Sequence, residues 1–172
     1  MKAQAFDLLG VDGQRHTLDT ARGPKGLVVM FICNHCPYVK AVLERIIRDC
    51  GELAQQGIGS IAVMSNDPSD YPEDSFDNMK RIAQAKRFPF PYVIDETQDV
   101  ARAYDAVCTP EFFGFDSVLE LQYHGRLDAS RRDAVPNARR ELLDAMVQIA
   151  TTGRGPKEQH PSVGCSIKWK NA

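Results

Sequence analysis

Leu27-Val28-Val29-Met30-Phe31-Ile32-Cys33-Asn34-His35-Cys36-Pro37 is the stretch that decides the fold. Its apolar run suits a β-strand buried on both faces, because a half-exposed strand would alternate apolar and polar residues. Pro37 marks a helix start, since a proline in the first turn gives up an N–H that has no helical partner. Between strand and helix stand two cysteines in Cys-x-x-Cys spacing. Thiols so spaced close into a small disulfide ring and reopen by thiolate attack. A cysteine at a helix start also faces unpaired backbone N–H groups and the positive end of the dipole, both of which favour the thiolate. The pair therefore reads as redox chemistry before it reads as a structural bridge.

Working outward, residues 3–9 and 15–19 flank the turn dipeptide Asp12-Gly13 and read as an N-terminal hairpin or extended segment. After Pro37, the apolar residues Val39, Val42, Ile46, Cys50 and Leu53 recur at helical spacing, opposite Lys40, Glu44, Arg48 and Glu52. A second buried strand is expected over 58–64, a loop over 65–70 and a helix over 74–87, stopped by Phe88-Pro89-Phe90-Pro91. A short strand at 92–94 and a short helix at 98–107 follow. Beyond Thr109-Pro110 come paired strands near 112–117 and 119–124, then a helix near 137–151. Gly153-Arg154-Gly155-Pro156 opens a tail. The alternation predicts an α/β fold with a mixed sheet, parallel at its centre, helices on both faces and an N-terminal hairpin extension. No repeat or linker divides the chain, so 1–172 is expected to be one domain with a C-terminal tail from about 153.

Composition narrows the function classes. The chain has 172 residues, 43% of them hydrophobic and 26% charged, with a net charge of -2. Such a charge suits neither a nucleic-acid stripe nor an anionic membrane surface. No apolar run approaches the roughly 20 residues needed to span a bilayer. The start, Met1 to Gly10, has no signal-like apolar core, and the expectation is a cytoplasmic protein. Five cysteines, an odd number at irregular spacing, argue against a secreted disulfide framework.

The Cys-x-x-Cys at a helix start and the Thr-Pro before a later hairpin strand resemble the thioredoxin superfamily. The lead-in Phe6-Asp7-Leu8 to Asp12-Gly13 is similar to the TlpA/ResA and AhpC/TSA branch. More narrowly, Phe31 to Val39, Ser65-Asn66-Asp67, Cys108-Thr109-Pro110-Glu111-Phe112-Phe113 and Gly164 to Trp169 resemble the peroxiredoxin-like thioredoxin family proteins of bacteria. The resemblance implies a thioredoxin-like fold, with Cys33 as attacking thiol and Cys36 as resolving thiol. It implies a cis-Pro110 packed against the disulfide, with the backbone of Thr109 exposed as an edge for a client peptide. Two departures stand out. The strand before the motif lacks the buried acid of thioredoxins. The peroxiredoxin signature of Thr and Pro before the reactive cysteine also fails, since Cys33 and Val29 occupy those positions.

Around the pair, His35 is expected to stabilise the Cys33 thiolate and make the couple more oxidising. Cys50 falls on the apolar helix face and reads as packing. Cys108, two residues before Pro110, is either core filler or an auxiliary thiol. Cys165 is either a third redox thiol or part of a packed surface strand, and the tail should fold back to bury Ile167 and Trp169. Asn66 and Asp67 fall on the same sheet edge as Cys33, where they contact substrate or form an Asx turn. His124 and His160 read as surface residues.

The leading reading is a thiol-disulfide oxidoreductase that needs neither cofactor nor metal. Its partners would be a client protein or low-molecular-weight disulfide or dithiol and an unidentified electron donor, with the protein a monomer or homodimer. The alternatives are an atypical thiol peroxidase and a thiolate metal-binding module built on Cys33, Cys36, Cys108 and Cys165.

Overall fold

The computed structural model describes residues 1–171. β1 (Asp7–Gly10) and β2 (Arg15–Thr17) form the expected hairpin, followed by the single turn α1 (Leu18–Ala21). β3 (Gly26–Phe31) leads to α2 (Pro37–Lys40), α3 (Leu43–Gln55) and β4 (Ile58–Met64). After a 3-10 turn at Pro72–Asp74 come α4 (Phe76–Ala85), β5 (Tyr92–Ile94) and α5 (Asp99–Ala103). β6 (Cys108–Thr109), β7 (Glu111–Phe115), β8 (Leu121–Gly125), α6 (Glu141–Thr152) and β9 (Cys165–Ser166) complete the chain.

Seven strands form a mixed sheet in the order β2-β1-β5-β4-β3-β7-β8, with β3, β4 and β5 parallel and the outer pairings antiparallel. β3 is central, and all of its residues are buried. Val28 and Met30 join one core with Val39, Ile46 and Leu53 of the helices after Cys36, and with Leu142 and Met146 of α6. Leu27, Val29 and Phe31 join the other, with Val100 and Tyr104 of the α5 region and Phe113 and Phe115 of β7. The unbroken apolar run thus serves two cores, and each such side chain contributes about 1.5–3 kcal/mol on burial.

Several element ends differ from expectation, each for a local reason. The helix after Pro37 is broken at Val42 (φ −120°), yet the apolar stripe survives because a short break leaves the side-chain spacing intact. α4 starts at Phe76 because Ser75 Oγ accepts from the Asn78 N–H as an N-cap. Asp105 and Asn137, at φ 54° and 55°, shorten α5 at its end and delay the start of α6. The tail folds back and forms β9, the packed strand that was one reading of the Cys165 segment, antiparallel to β6. Among the described residues, no helix is long and apolar enough to cross a membrane.

Candidate active site

β3 ends one residue short of Ile32, so Cys33 emerges at the carboxyl edge of the sheet, and Cys36 is the N-cap of α2 with Pro37 in the first turn. Thr109 meets both sulfurs from the other side. Its hydroxyl lies 3.4 Å from Cys33 Sγ, and its carbonyl accepts from the Cys36 thiol at 3.4 Å. The Thr109–Pro110 bond is cis, as the resemblance implied. Cys33 is 2% exposed and Cys36 is fully buried. Both are present as thiols, as are Cys50, Cys108 and Cys165.

The strand before the motif lacks an acid, but one arrives from elsewhere. Asp74, fully buried in the 3-10 turn, sits under the Cys33–Cys36 loop. Its Oδ1 accepts from the backbone N–H groups of Asn34 (2.7 Å) and His35 (3.2 Å). Its Oδ2 meets His35 Nδ1 at 2.5 Å and accepts from Asn66 Nδ2 at 3.0 Å. The Asn34 side chain joins the same network, donating to the Glu73 carbonyl and accepting from the Tyr92 hydroxyl. These bonds fix the loop between the two cysteines.

The expected role of His35 is corrected by this arrangement. Its Nδ1 is engaged by Asp74 and its ring stacks on Tyr71 at 4.4 Å, so it makes no hydrogen bond to Cys33. Cys33, His35 and Asp74 place potential ligand atoms within 4.8 Å of one another. Asp74 spends both oxygens on the loop, however, and this donor set reads as a hydrogen-bonded network rather than a metal site.

The two thiols influence one another. Hydrogen bonding from Cys33 is the main influence that holds the Cys36 thiol well below the ordinary range, against the opposing effect of burial. The Cys165 thiol and the backbone N–H groups of Val39 and Cys165 act in the same direction. Cys33 moves the other way, raised by that same bond, by burial and by the negative charge of Asp74. The first negative charge therefore belongs to the pair as a unit, with donors around Cys36 and a carboxylate beside Cys33.

The open client edge at Thr109 is not found. β9 covers it, pairing Cys165 with Thr109 and Ser166 with Cys108, and the Ile167 N–H continues the contact to the Val107 carbonyl at 3.0 Å. Gly164 passes so close that a Cβ there would lie 1.9 Å from the Thr109 carbonyl oxygen. Ile167 is buried in the core under α5, while Trp169 stays half-exposed beneath Arg102. Asn66 Oδ1 accepts from the Lys168 N–H, and the Asp67 N–H donates to the Lys168 carbonyl. The Asp67 carboxylate instead makes an Asx turn with Ser69. Gln98 clamps the same tail, donating to the Ser65 and Lys168 carbonyls and accepting from the Lys170 N–H.

The other cysteines separate clearly. Cys50 is core, its thiol pushed up to about 12 by burial. Cys108 is half-buried beside Glu111 and is pushed up to about 12 by burial and by that carboxylate. Cys165 packs against the core cluster that contains Cys33 and Cys36. Burial raises it to about 11.

Sequence reasoning missed Asp74, Glu111 and Gln98. Glu111 carried a signal, as a lone acid heading an apolar strand. It is buried and accepts from the backbone N–H groups of Val107 and Cys108, with His124 Nε2 at 2.5 Å. His124 is exposed as expected, but it is also stacked on Phe113 at 4.3 Å. Asp74 carried no signal, because the loop it holds, Asn34 and His35, lies about forty residues away in sequence and only the fold joins them.

The model of the AhpC/TSA family matches residues 1–125. The chain is similar to the crystal structure of an uncharacterized conserved protein from Geobacillus kaustophilus, with 43% identity and a TM-score of 0.94 over 100% of this chain and 92% of that one. It is also similar to a hypothetical protein from Sinorhizobium meliloti 1021, with 35% identity and a TM-score of 0.93 over 100% and 94%. A thioredoxin family thiol:disulfide interchange protein from Chlorobium tepidum TLS shares the fold at 16% identity, with a TM-score of 0.65 over 87% and 95%. No curated protein sequence matches the chain. The fold is thioredoxin-like, and the chain belongs to the AhpC/TSA family.

Proposed function

We propose that the protein is a thiol-disulfide oxidoreductase working through Cys33 and Cys36. The observation that carries this reading is the convergence of both sulfurs on Thr109, beside a cis-proline and at the start of a helix. Family membership and the thioredoxin-like fold support a redox enzyme. As the resemblance implies, the attack falls to Cys33, which keeps slight exposure while Cys36 is fully buried. In the cycle, the Cys33 thiolate attacks a client disulfide, and the departing client sulfur takes up a proton. Cys36 then loses its proton, attacks Cys33 Sγ and closes the ring, releasing the second client thiol. Two electrons pass from dithiol to client, and the reverse sequence oxidises a client dithiol.

Insulin reduction tests this. The activity is expected to vanish in Cys33→Ser and in Cys36→Ser, with a mixed disulfide accumulating in Cys36→Ser alone. Trapping in Cys33→Ser would move the attack to Cys36, and wild-type-like reduction by either variant would end the reading.

A thiol peroxidase is the second reading, favoured by the family match. Cys33 would attack peroxide to give a sulfenic acid and water, and Cys36 would displace a second water on closing the ring. Peroxide consumption that outpaces insulin reduction would favour it.

A further inference from the structure

We infer that the C-terminal strand acts as a tethered client and that Cys165 is a third redox thiol, exchanging with Cys36. This rests on the proposed dithiol chemistry, and it deepens that reading by naming what occupies the client groove at rest. β9 lies antiparallel on Thr109, so the segment bearing Cys165 satisfies backbone groups that an incoming extended peptide would otherwise pair with. Gly164 allows the close approach to the Thr109 carbonyl, since any Cβ there would collide with it. The register then sets Cys165 directly across from Thr109, whose carbonyl also accepts from the Cys36 thiol. Ile167, buried below, and Gln98 with Asn66, bonded to the backbone beyond, fix that register from both sides of the sheet edge.

The step balances without an outside reagent once the Cys33–Cys36 disulfide exists. The Cys165 thiol loses its proton and attacks Cys36 Sγ. The Cys36–Cys165 bond forms, the Cys33–Cys36 bond breaks, and Cys33 leaves as a thiolate that takes up a proton. No net oxidation occurs. The exchange moves the disulfide into the tail and frees Cys33, and its reversal restores the ring.

The test uses the full chain. Cys33→Ser protein oxidised with diamide, which accepts the two electrons, is digested without reductant and mapped by mass spectrometry. A peptide pair linked through Cys36 and Cys165, with Cys50 and Cys108 unlinked, is the expected result. Absence of that linkage overturns the inference. A second variant, Gly164→Ala, separates the groove from the thiol by lifting β9 off Thr109. It should speed insulin reduction and alkylation of Cys36 about tenfold, the factor expected when one or two backbone hydrogen bonds are lost. If both rates stay at wild-type values, the tail is not a competitor for the groove and the inference fails. Failure of the dithiol reading is recognised separately, because wild-type protein would then neither reduce insulin nor form the Cys33–Cys36 disulfide. The linkage in Cys33→Ser decides the role of Cys165 in either case.

Discussion

Asp74 Oδ2 lies 2.5 Å from His35 Nδ1, beneath a loop whose Asn34 and His35 amides both point at Asp74 Oδ1. One carboxylate therefore shapes the turn between the reactive thiols and also places a negative charge beside one of them.

Replacing Asp74 with Asn removes the charge that disfavours a thiolate on Cys33. The reduced pair is then better stabilised, so the couple becomes more oxidising. Equilibration with glutathione should show a higher reduction potential in Asp74→Asn. Mispairing of the amide with its buried partners should cost about 1–3 kcal/mol in chemical denaturation. An unchanged or lower potential would remove Asp74 from the redox account.

The Cys33 thiol is the main donor to Cys36, so Cys33→Ala takes away the principal support of the Cys36 thiolate. The sign follows directly: a less stabilised anion has a higher pKa. The ultraviolet thiolate signal of Cys36→Ala and Cys33→Ala, titrated on the native proteins, gives the comparison. Cys33→Ala should titrate above the first ionisation of the wild-type pair. A midpoint at or below wild type would mean that α2 and Cys165 carry the stabilisation unaided.

Glu111 is pushed up by burial, yet hydrogen bonds from His124 and from the Val107 and Cys108 amides more than offset this, and its carboxyl ends below the ordinary value of 4.5. A depressed acid contributes stability that is present above its unfolded pKa and is lost as pH falls through its folded pKa. Glu111→Gln should therefore be less stable than wild type at neutral pH, with the gap narrowing below about pH 4.5. Melting curves across that window check it. A gap that stays constant would show that the loss comes from packing alone.

Ile167 is 2% exposed and sits in the core with Val100 and Tyr104. Truncation to alanine should cost about 2–5 kcal/mol if that side chain anchors the tail to the body. Because the anchor lies next to β9, insulin reduction should rise in the same variant. A loss of less than about 1 kcal/mol would make the tail a loosely held appendage.

Much of this was legible in the sequence because it rests on local pattern. The apolar run at 27–32 marked the central strand, and Pro37 after Cys36 marked the helix start. Asp12-Gly13 marked the hairpin, and the cis bond at Pro110 followed from the resemblance. What escaped depends on contacts between distant segments. No periodicity links Asp74 to Asn34, and nothing local in the strand expected at Cys165 names Thr109 as its partner. The expected open edge at Thr109 failed for the same reason, since its cover comes from a segment more than fifty residues later. His35 was placed near the right chemistry but given the wrong partner, because an unseen carboxylate competes for its ring nitrogen.

Asn66 joins the two halves of this site, with its amide N–H on Asp74 and its carbonyl on the Lys168 N–H. The amide is polar in one direction only: an aspartate here would set carboxylate against carboxylate, and a leucine would strand both buried partners. Lifting the tail leaves the Asn66 carbonyl without its partner in a site that is 5% exposed. Water must follow to hydrate it. Opening the groove would thus also wet the floor beneath the dithiol and screen Asp74 from Cys33, easing deprotonation of Cys33.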